Sequence, residues 1–226
     1  MNRFYLLLVA VALAAGGLLY VARSKPATVP GDNGTPVVVT AADSAFRGNT
    51  LGSDSAPVEV VEYADFQCSH CGEFAILQFP TIRDSLIRTG RLRWRLREFP
   101  LGFPFSRISS LAAQCAGEQG RYWEMADALF EHQAEWAARV SSDPSSKLRD
   151  YARSAGVDAA KYDACMDSKR YAGRIEFSHQ EGLARGVGGT PTFFVNGRPL
   201  DNRKFASSDD FQHLVDSLAP RSGHKR

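Results

Sequence analysis

Methionine is scarce in this 226-residue chain, at three residues, and histidine is little commoner at five. Neither clusters, so the chain has no Met-rich or His-rich metal tract. Cysteine is sparse too. Four residues are too few for a small domain stapled together by disulfides. Internal repeats and low-complexity tracts are absent. So is a large excess of charge of either sign: Lys plus Arg total 27 and Asp plus Glu 25, a formal net of +2. The first 25 positions hold Arg3, Arg23 and Lys25 and no acid. The rest carries 24 bases against 25 acids, a net of −1. Near neutrality excludes a nucleic-acid binder that works through bulk positive charge.

What remains is the composition of a folded domain, with 44% hydrophobic and 23% charged residues. About 200 residues beyond the N-terminus suit one domain with an insertion.

Phe4 to Ala22 is an uncharged, mostly apolar run with Arg3 before it and Arg23 and Lys25 after it. As a helix at about 1.5 Å per residue it spans roughly 28 Å, close to a bilayer core. Residues 1–23 are therefore read as a signal anchor, with a cleaved signal peptide at Ala12-Leu13-Ala14 as the alternative. Cleavage there would leave an apolar mature terminus, which favours the anchor. Flanking charge does not decide the orientation. Residues 24–57 are rich in Pro, Gly, Ser, Thr, Asp and Asn and read as a linker, with Val37-Val38-Val39 as a candidate edge strand. Residues 58–220 form the main domain and 221–226 a basic tail.

Within that domain, Val58 to Tyr63 reads as a buried strand. A helical stretch follows to about Thr89, with Pro80 expected to kink it. Arg91 to Phe99 alternates Arg91, Arg93, Arg95 and Arg97 with Leu92, Trp94 and Leu96, the period of a strand. Ser106 to Arg185 is helical, with 106–170 read as an insertion. Asp143-Pro144 and Asp158 mark helix starts. Asn196-Gly197 is a two-residue hairpin signal after Thr192-Phe193-Phe194-Val195. Ser207 caps a last helix bearing Phe211, Leu214, Val215 and Leu218. Strand, helix, strand, helical block, hairpin and helix make an α/β chain of thioredoxin-like order.

The motif that carries chemistry is Cys68-Ser69-His70-Cys71. At a strand-to-helix junction Cys68 meets the free N–H groups of the helix start, which stabilise a thiolate. Cys71 lies one turn in, more buried and within disulfide reach. Cys68 is thus the attacking sulfur and Cys71 the resolving one. The same spacing occurs in zinc sites, but a structural zinc needs two further paired ligands. Cys115 and Cys165 are single and far apart, so no metal site is expected.

The chain resembles the DsbA-type branch of the thioredoxin-fold thiol:disulfide oxidoreductases. The matching segments are Val60 to Cys71, Phe99-Pro100-Leu101, Ala112 to Phe130 and Gly188 to Gly197. The resemblance implies a cis peptide before Pro191, and that Thr190 and Pro191 bind an extended substrate chain. His70 takes the place of the histidine in the family's Cys-Pro-His-Cys motif, implying a tuning role. Ser69 departs from that motif and leaves the redox potential open. Glu62, on an apolar strand, is either a solvent-facing or ion-paired acid, or the family's buried proton relay to the resolving thiol. Cys115 and Cys165 are either buried free thiols or a structural disulfide. An oxidising compartment and the second disulfide of some relatives favour the bond.

The function expected is dithiol oxidation of cysteine-containing secreted proteins, with no organic cofactor. As in the family, a membrane quinone-linked partner would reoxidise the dithiol. The expected location is the periplasmic or extracytoplasmic face of the inner membrane, or a secreted form after cleavage. A reductase or isomerase is the nearest alternative, but residues 24–57 are too short and polar for an isomerase's dimerisation domain. A membrane-tethered holdase or copper-binding protein is the alternative from another class. The arginine stripe reads as a solvated or ion-paired strand face, or more sharply as a surface for anionic lipid or substrate.

Overall fold

The computed structural model describes residues 9, 11–13, 27–30, 36–137, 143–201 and 207–218. The expected anchor over Phe4 to Ala22 and the tail at 221–226 lie almost wholly outside these residues. No helix among the described residues is long and apolar enough to cross a membrane.

The sheet that places the site has five strands in the order β3-β5-β4-β6-β7. They are β3 (Asn49–Leu51), β4 (Val58–Ala64), β5 (Leu92–Glu98), β6 (Thr192–Val195) and β7 (Arg198–Pro199). The central pair, β4 and β5, is parallel, with Val60 opposite Trp94 and Glu62 opposite Leu96. Strand β6 runs antiparallel to β4, with Tyr63 opposite Thr192. A parallel pair needs a crossover, which is supplied by α2 (Ser69–Leu77), α3 (Phe79–Ile82) and a π-helical turn (Arg83–Ile87). The chain breaks at Gln78, two residues before Pro80, because proline cannot donate into a continuing helix. Asn196 and Gly197 have φ of 46° and 80°, the left-handed pair that a tight hairpin turn needs.

Alternation along β4 builds both faces. Val58 and Val60 join Leu92, Trp94, Phe74, Phe193 and Phe211 in one core. Val61 and Tyr63 join Phe99, Val187 and Phe194 in a smaller one on the other face. A third core binds the helical block to the end of the sheet and includes Cys68, Cys71, Leu129 and Trp136. The block comprises α4 (Ser106–Gly117), α5 (Tyr122–Glu131), α6 (Gln133–Trp136), α7 (Ser145–Ser154) and α8 (Ala159–Ser168). Then α9 (Ala172–Ala184) returns to the sheet, and α10 (Ser208–Leu218) closes the fold.

The described part of residues 24–57 carries more structure than a linker. Strands β1 (Ala27–Pro30) and β2 (Pro36–Val39) pair antiparallel. The short α1 (Ala41–Ala45) starts with a capping box between Thr40 and Asp43. Gly173 lets α9 press onto β2, since a Cβ there would lie 2.3 Å from the Val38 carbonyl oxygen. Then β3 pairs with β5. The elements are very short, and β3 takes its pairing partners from β5, far along the chain, so composition alone suggests a tether. Two smaller expectations also shift. Asp143 accepts the Ser145 N–H, and α7 starts at Ser145, one residue beyond the Pro144 start the sequence implied. On α10, Phe211 and Val215 are buried but Leu218 is exposed.

A candidate dithiol active site

Strand β4 ends at Ala64, and Cys68 takes the N-cap of α2 with extended backbone angles and no side-chain cap. The free N–H groups of the first helical turn are therefore available to its sulfur. Cys68 and Cys71 both carry free, buried thiols in this structure. The Cys71 thiol bonds to the Cys68 sulfur and is the largest influence lowering the Cys68 pKa, to about 5. Burial opposes it, while Thr190 and the backbone N–H groups of Cys71 and His70 add to the lowering. Cys71 behaves in the opposite way. Burial first, then the hydrogen bond and charge of Cys68 and the charge of Glu62, push its thiol well up. One sulfur is held as thiolate and the other as thiol.

Glu62 sits beneath this pair on β4, 4% exposed. The Trp94 indole Nε1–H donates to its Oε2 at 2.9 Å. Burial outweighs that bond and raises the carboxyl pKa to about 7. Of the two readings open from the sequence, the buried acid is the one found here.

The Thr190–Pro191 peptide is cis. It brings the Thr190 carbonyl oxygen within 3.4 Å of Cys68 Sγ, which donates to it when protonated. The Thr190 hydroxyl is buried beside the two sulfurs, and its side chain helps to lower the pKa of both. The antiparallel β4–β6 register sets this approach, because β6 begins directly after Pro191.

Three residues that the sequence did not single out hold the reactive loop. The buried Asp65 carboxylate accepts the N–H groups of Gln67 and Leu101 and the Ser106 hydroxyl. Gln67 accepts the Phe105 N–H at 2.7 Å and donates to the Ala137 carbonyl. Gln133, from the helical block, donates to the carbonyls of Phe66 and Cys68 at 2.7 and 2.9 Å. Asp65 and Gln67 lie inside the family-like segment before Cys68, which was the signal available. Nothing local marks Gln133. A second buried acid, Glu98 at the end of β5, accepts from Tyr122 Oη at 2.8 Å and from Gln114.

The His70 ring stands apart from this cluster. Its side chain is 79% exposed and faces Glu73 at 3.9 Å. Cys68 receives the backbone N–H of His70. Cys115 on α4 and Cys165 on α8 are bonded to one another, with Cα atoms 5.7 Å apart, and take no part in the site. No group of three or more His, Cys, Asp or Glu among the described residues could hold a metal ion. The arginine stripe is ion-paired: Arg91 with Asp216, Arg93 with Asp54 and Glu59, Arg95 with Glu59, and Arg97 with Glu181.

Residues 45–217 match the family described as thioredoxin. Among solved structures the chain is similar to oxidised BdbD of Bacillus subtilis, at 25% identity and a TM-score of 0.67, covering 75% of this chain and 91% of that one. Wolbachia pipientis α-DsbA1 shares the fold at a TM-score of 0.65 and 24% identity, over 76% of this chain and 90% of that one. A Rickettsia prowazekii protein provisionally named a protein-disulfide oxidoreductase is 28% identical over 167 residues, 74% of this chain and 59% of its own length. A Salinispora tropica protein named Na(+)/H(+) antiporter NhaA 3 is 38% identical over 154 residues, 67% of this chain. The chain spans only 22% of that antiporter's length. The α/β fold and the match over most of its length together place this chain in the thioredoxin family.

Proposed function

We propose that this chain is an extracytoplasmic thiol:disulfide oxidoreductase that works as a dithiol oxidase on cysteine-containing secreted proteins. The observation that carries the reading is the split between the two sulfurs: a Cys68 pKa lowered to about 5 against a Cys71 thiol pushed well up. A stabilised Cys68 thiolate is a good leaving group and makes the reduced form favourable, which is what an oxidant needs.

In the cycle the enzyme starts as the Cys68–Cys71 disulfide. A substrate thiolate attacks Cys68 Sγ, a substrate–Cys68 bond forms, and the Cys68–Cys71 bond breaks. Cys71 leaves with the electron pair and takes a proton. Glu62, with a carboxyl pKa of about 7, is suited to donate it. A second substrate thiolate then attacks the substrate sulfur of the mixed disulfide and releases Cys68 as thiolate. The substrate has lost two electrons and gained a disulfide, and the enzyme holds both electrons as a dithiol. Thr190 and Pro191 would align the extended substrate chain beside Cys68. Ser69 and the backbone N–H of His70 set the loop in which the thiolate sits.

A membrane quinone-linked partner would take the two electrons and restore the disulfide. The apolar run Phe4 to Ala22 would hold the domain at the membrane, on the periplasmic side. Cys115–Cys165 serves as a structural bond. No cofactor, metal or nucleic acid enters the reaction.

Titration of the Cys68–Cys71 couple in glutathione buffers tests the direction. A potential near roughly −120 mV supports the oxidase, and one near roughly −270 mV assigns a reductase instead.

A further inference from the structure

The face of the sheet opposite Glu62 carries a cleft of about 190 Å³ lined by Arg47, Arg95, Arg97 and Arg185 against Glu59 and Glu181. Strand alternation puts the two sites on opposite faces, since Glu59, Val61 and Tyr63 point away from the side of Val60 and Glu62. Four guanidiniums face two carboxylates, which leaves the cleft with two net positive charges. Glu59 already serves both Arg93 and Arg95, and Glu181 serves Arg97. Arg185 donates to neutral oxygens, Tyr63 Oη at 3.3 Å and the Gly197 carbonyl at 3.4 Å. Its guanidinium stacks on the Phe194 ring at 4.0 Å, which fixes its plane. Arg47 is exposed at the rim and forms no ion pair among the described residues.

Arg97 is 2% exposed, and its Nε–H has no hydrogen-bond partner; the same is true of Arg95 Nε–H. A buried guanidinium donor without an acceptor is costly. Planar, forked donors match the oxygens of carboxylates and phosphates. The cleft is too small for a drug-sized molecule and of the right order for one small anion.

We propose that this arginine cleft is a binding site for a small oxyanion of the carboxylate or phosphate class, separate from the dithiol. The anion would be held by the pre-oriented Arg185 and the rim residue Arg47, with the charges of Arg95 and Arg97 beneath it. Arg185 directly follows α9 and lies five residues before Thr190, so an occupant would also tether the base of the loop carrying Pro191.

The test is calorimetric titration of the full chain in detergent with sodium phosphate and, separately, sodium succinate, ionic strength being held constant with chloride. One saturable site is expected, with a Kd of ~1 mM or tighter. Arg185→Gln and Arg47→Gln should each weaken it at least tenfold. Arg91→Gln, an arginine of the same stripe outside the cleft, should leave it within twofold. Tighter phosphate assigns the site to phosphate and tighter succinate to carboxylate, and either supports the proposal. Absence of saturable heat overturns it. An equal loss in Arg91→Gln also overturns it, because binding then reflects bulk charge. If Arg185→Gln fails to fold, Arg47→Gln decides the matter, since Arg47 is exposed and its removal empties no packed site.

Discussion

The Trp94 indole donates to Glu62 across the parallel β4–β5 pair, at 2.9 Å and with both groups buried. The bond lowers the Glu62 pKa but does not cancel the effect of burial, which leaves it at about 7. The carboxyl therefore titrates in the range that the proposed proton transfer to the leaving Cys71 requires.

Glu62→Gln should stabilise the protein at neutral and alkaline pH. The folded pKa of about 7 lies above the ordinary 4.5, so the folded state holds the proton more tightly than the unfolded one. The stability this gives is fully present below about 4.5 and is lost as pH rises through about 7. Unfolding free energies of the two proteins from urea titrations should coincide near pH 4 and separate by up to about 3 kcal/mol above pH 8. The variant should also release Cys71 more slowly in single-turnover reactions. Parallel stability curves at every pH would remove Glu62 as the titrating group.

Reduced Cys68 should react with iodoacetamide along a curve whose midpoint is near pH 5, while Cys71 stays unmodified in the folded protein. A lowered thiol pKa stabilises the folded, reduced form. That contribution is fully present above the unfolded pKa of about 9 and is lost as pH falls through about 5. In a Cys115→Ala, Cys165→Ala background the reduced form should have the higher urea midpoint at pH 7, and the gap should close at low pH. An oxidised form that is equally stable at pH 7 would overturn the oxidase reading.

Cys71→Ala should prolong substrate–Cys68 mixed disulfides, because one route out of them, attack of Cys71 on Cys68 Sγ with release of the substrate thiolate, is lost. Non-reducing gels of intact cells should show high-mass adducts that disappear with reductant. Cys68→Ala should show none, and adducts in that variant would reassign the attacking sulfur.

Removing the Cys115–Cys165 bond should cost about 2–4 kcal/mol, the loss expected on opening a loop of 50 residues. The Cys68 alkylation midpoint should stay where it was, since the bond lies away from the dithiol. A shifted midpoint would show that the helical block transmits strain to the site.

Much of this architecture could be read from the chain. The alternation of Arg93, Arg95 and Arg97 with Leu92, Trp94 and Leu96 marks β5, and Asn196-Gly197 marks the turn after β6. Asp158 and Ser207 mark two helix starts, where their side chains accept the N–H groups of Lys161 and Asp210. Cys68 and Cys71 stand out as the candidate dithiol through spacing and position. Strand β3 was not legible, because three residues show no period and β5 supplies their partners. The loop clamp escaped for the same reason, as Gln133 lies 65 residues from Cys68. The state of Glu62 depends on Trp94, 32 residues away. The sequence draws attention to the His70 ring, whereas its backbone N–H reaches the sulfur.

Gln133 also bears on transplantation. Its amide satisfies the carbonyls of Phe66 and Cys68, and Gly72 leaves room for it, since a Cβ there would meet Gln133 Oε1 at 2.8 Å. A minimal graft of β4, the cysteine loop and α2 onto another α/β scaffold would carry the proposed nucleophile but not this amide. The Phe66 carbonyl would then lose this amide, at about 1–3 kcal/mol if it stays buried, and the Cys68 carbonyl would keep only the Gly72 N–H of α2. The portable unit is therefore discontinuous: the cysteine loop together with Gln133, on whatever helix can present its amide to that turn.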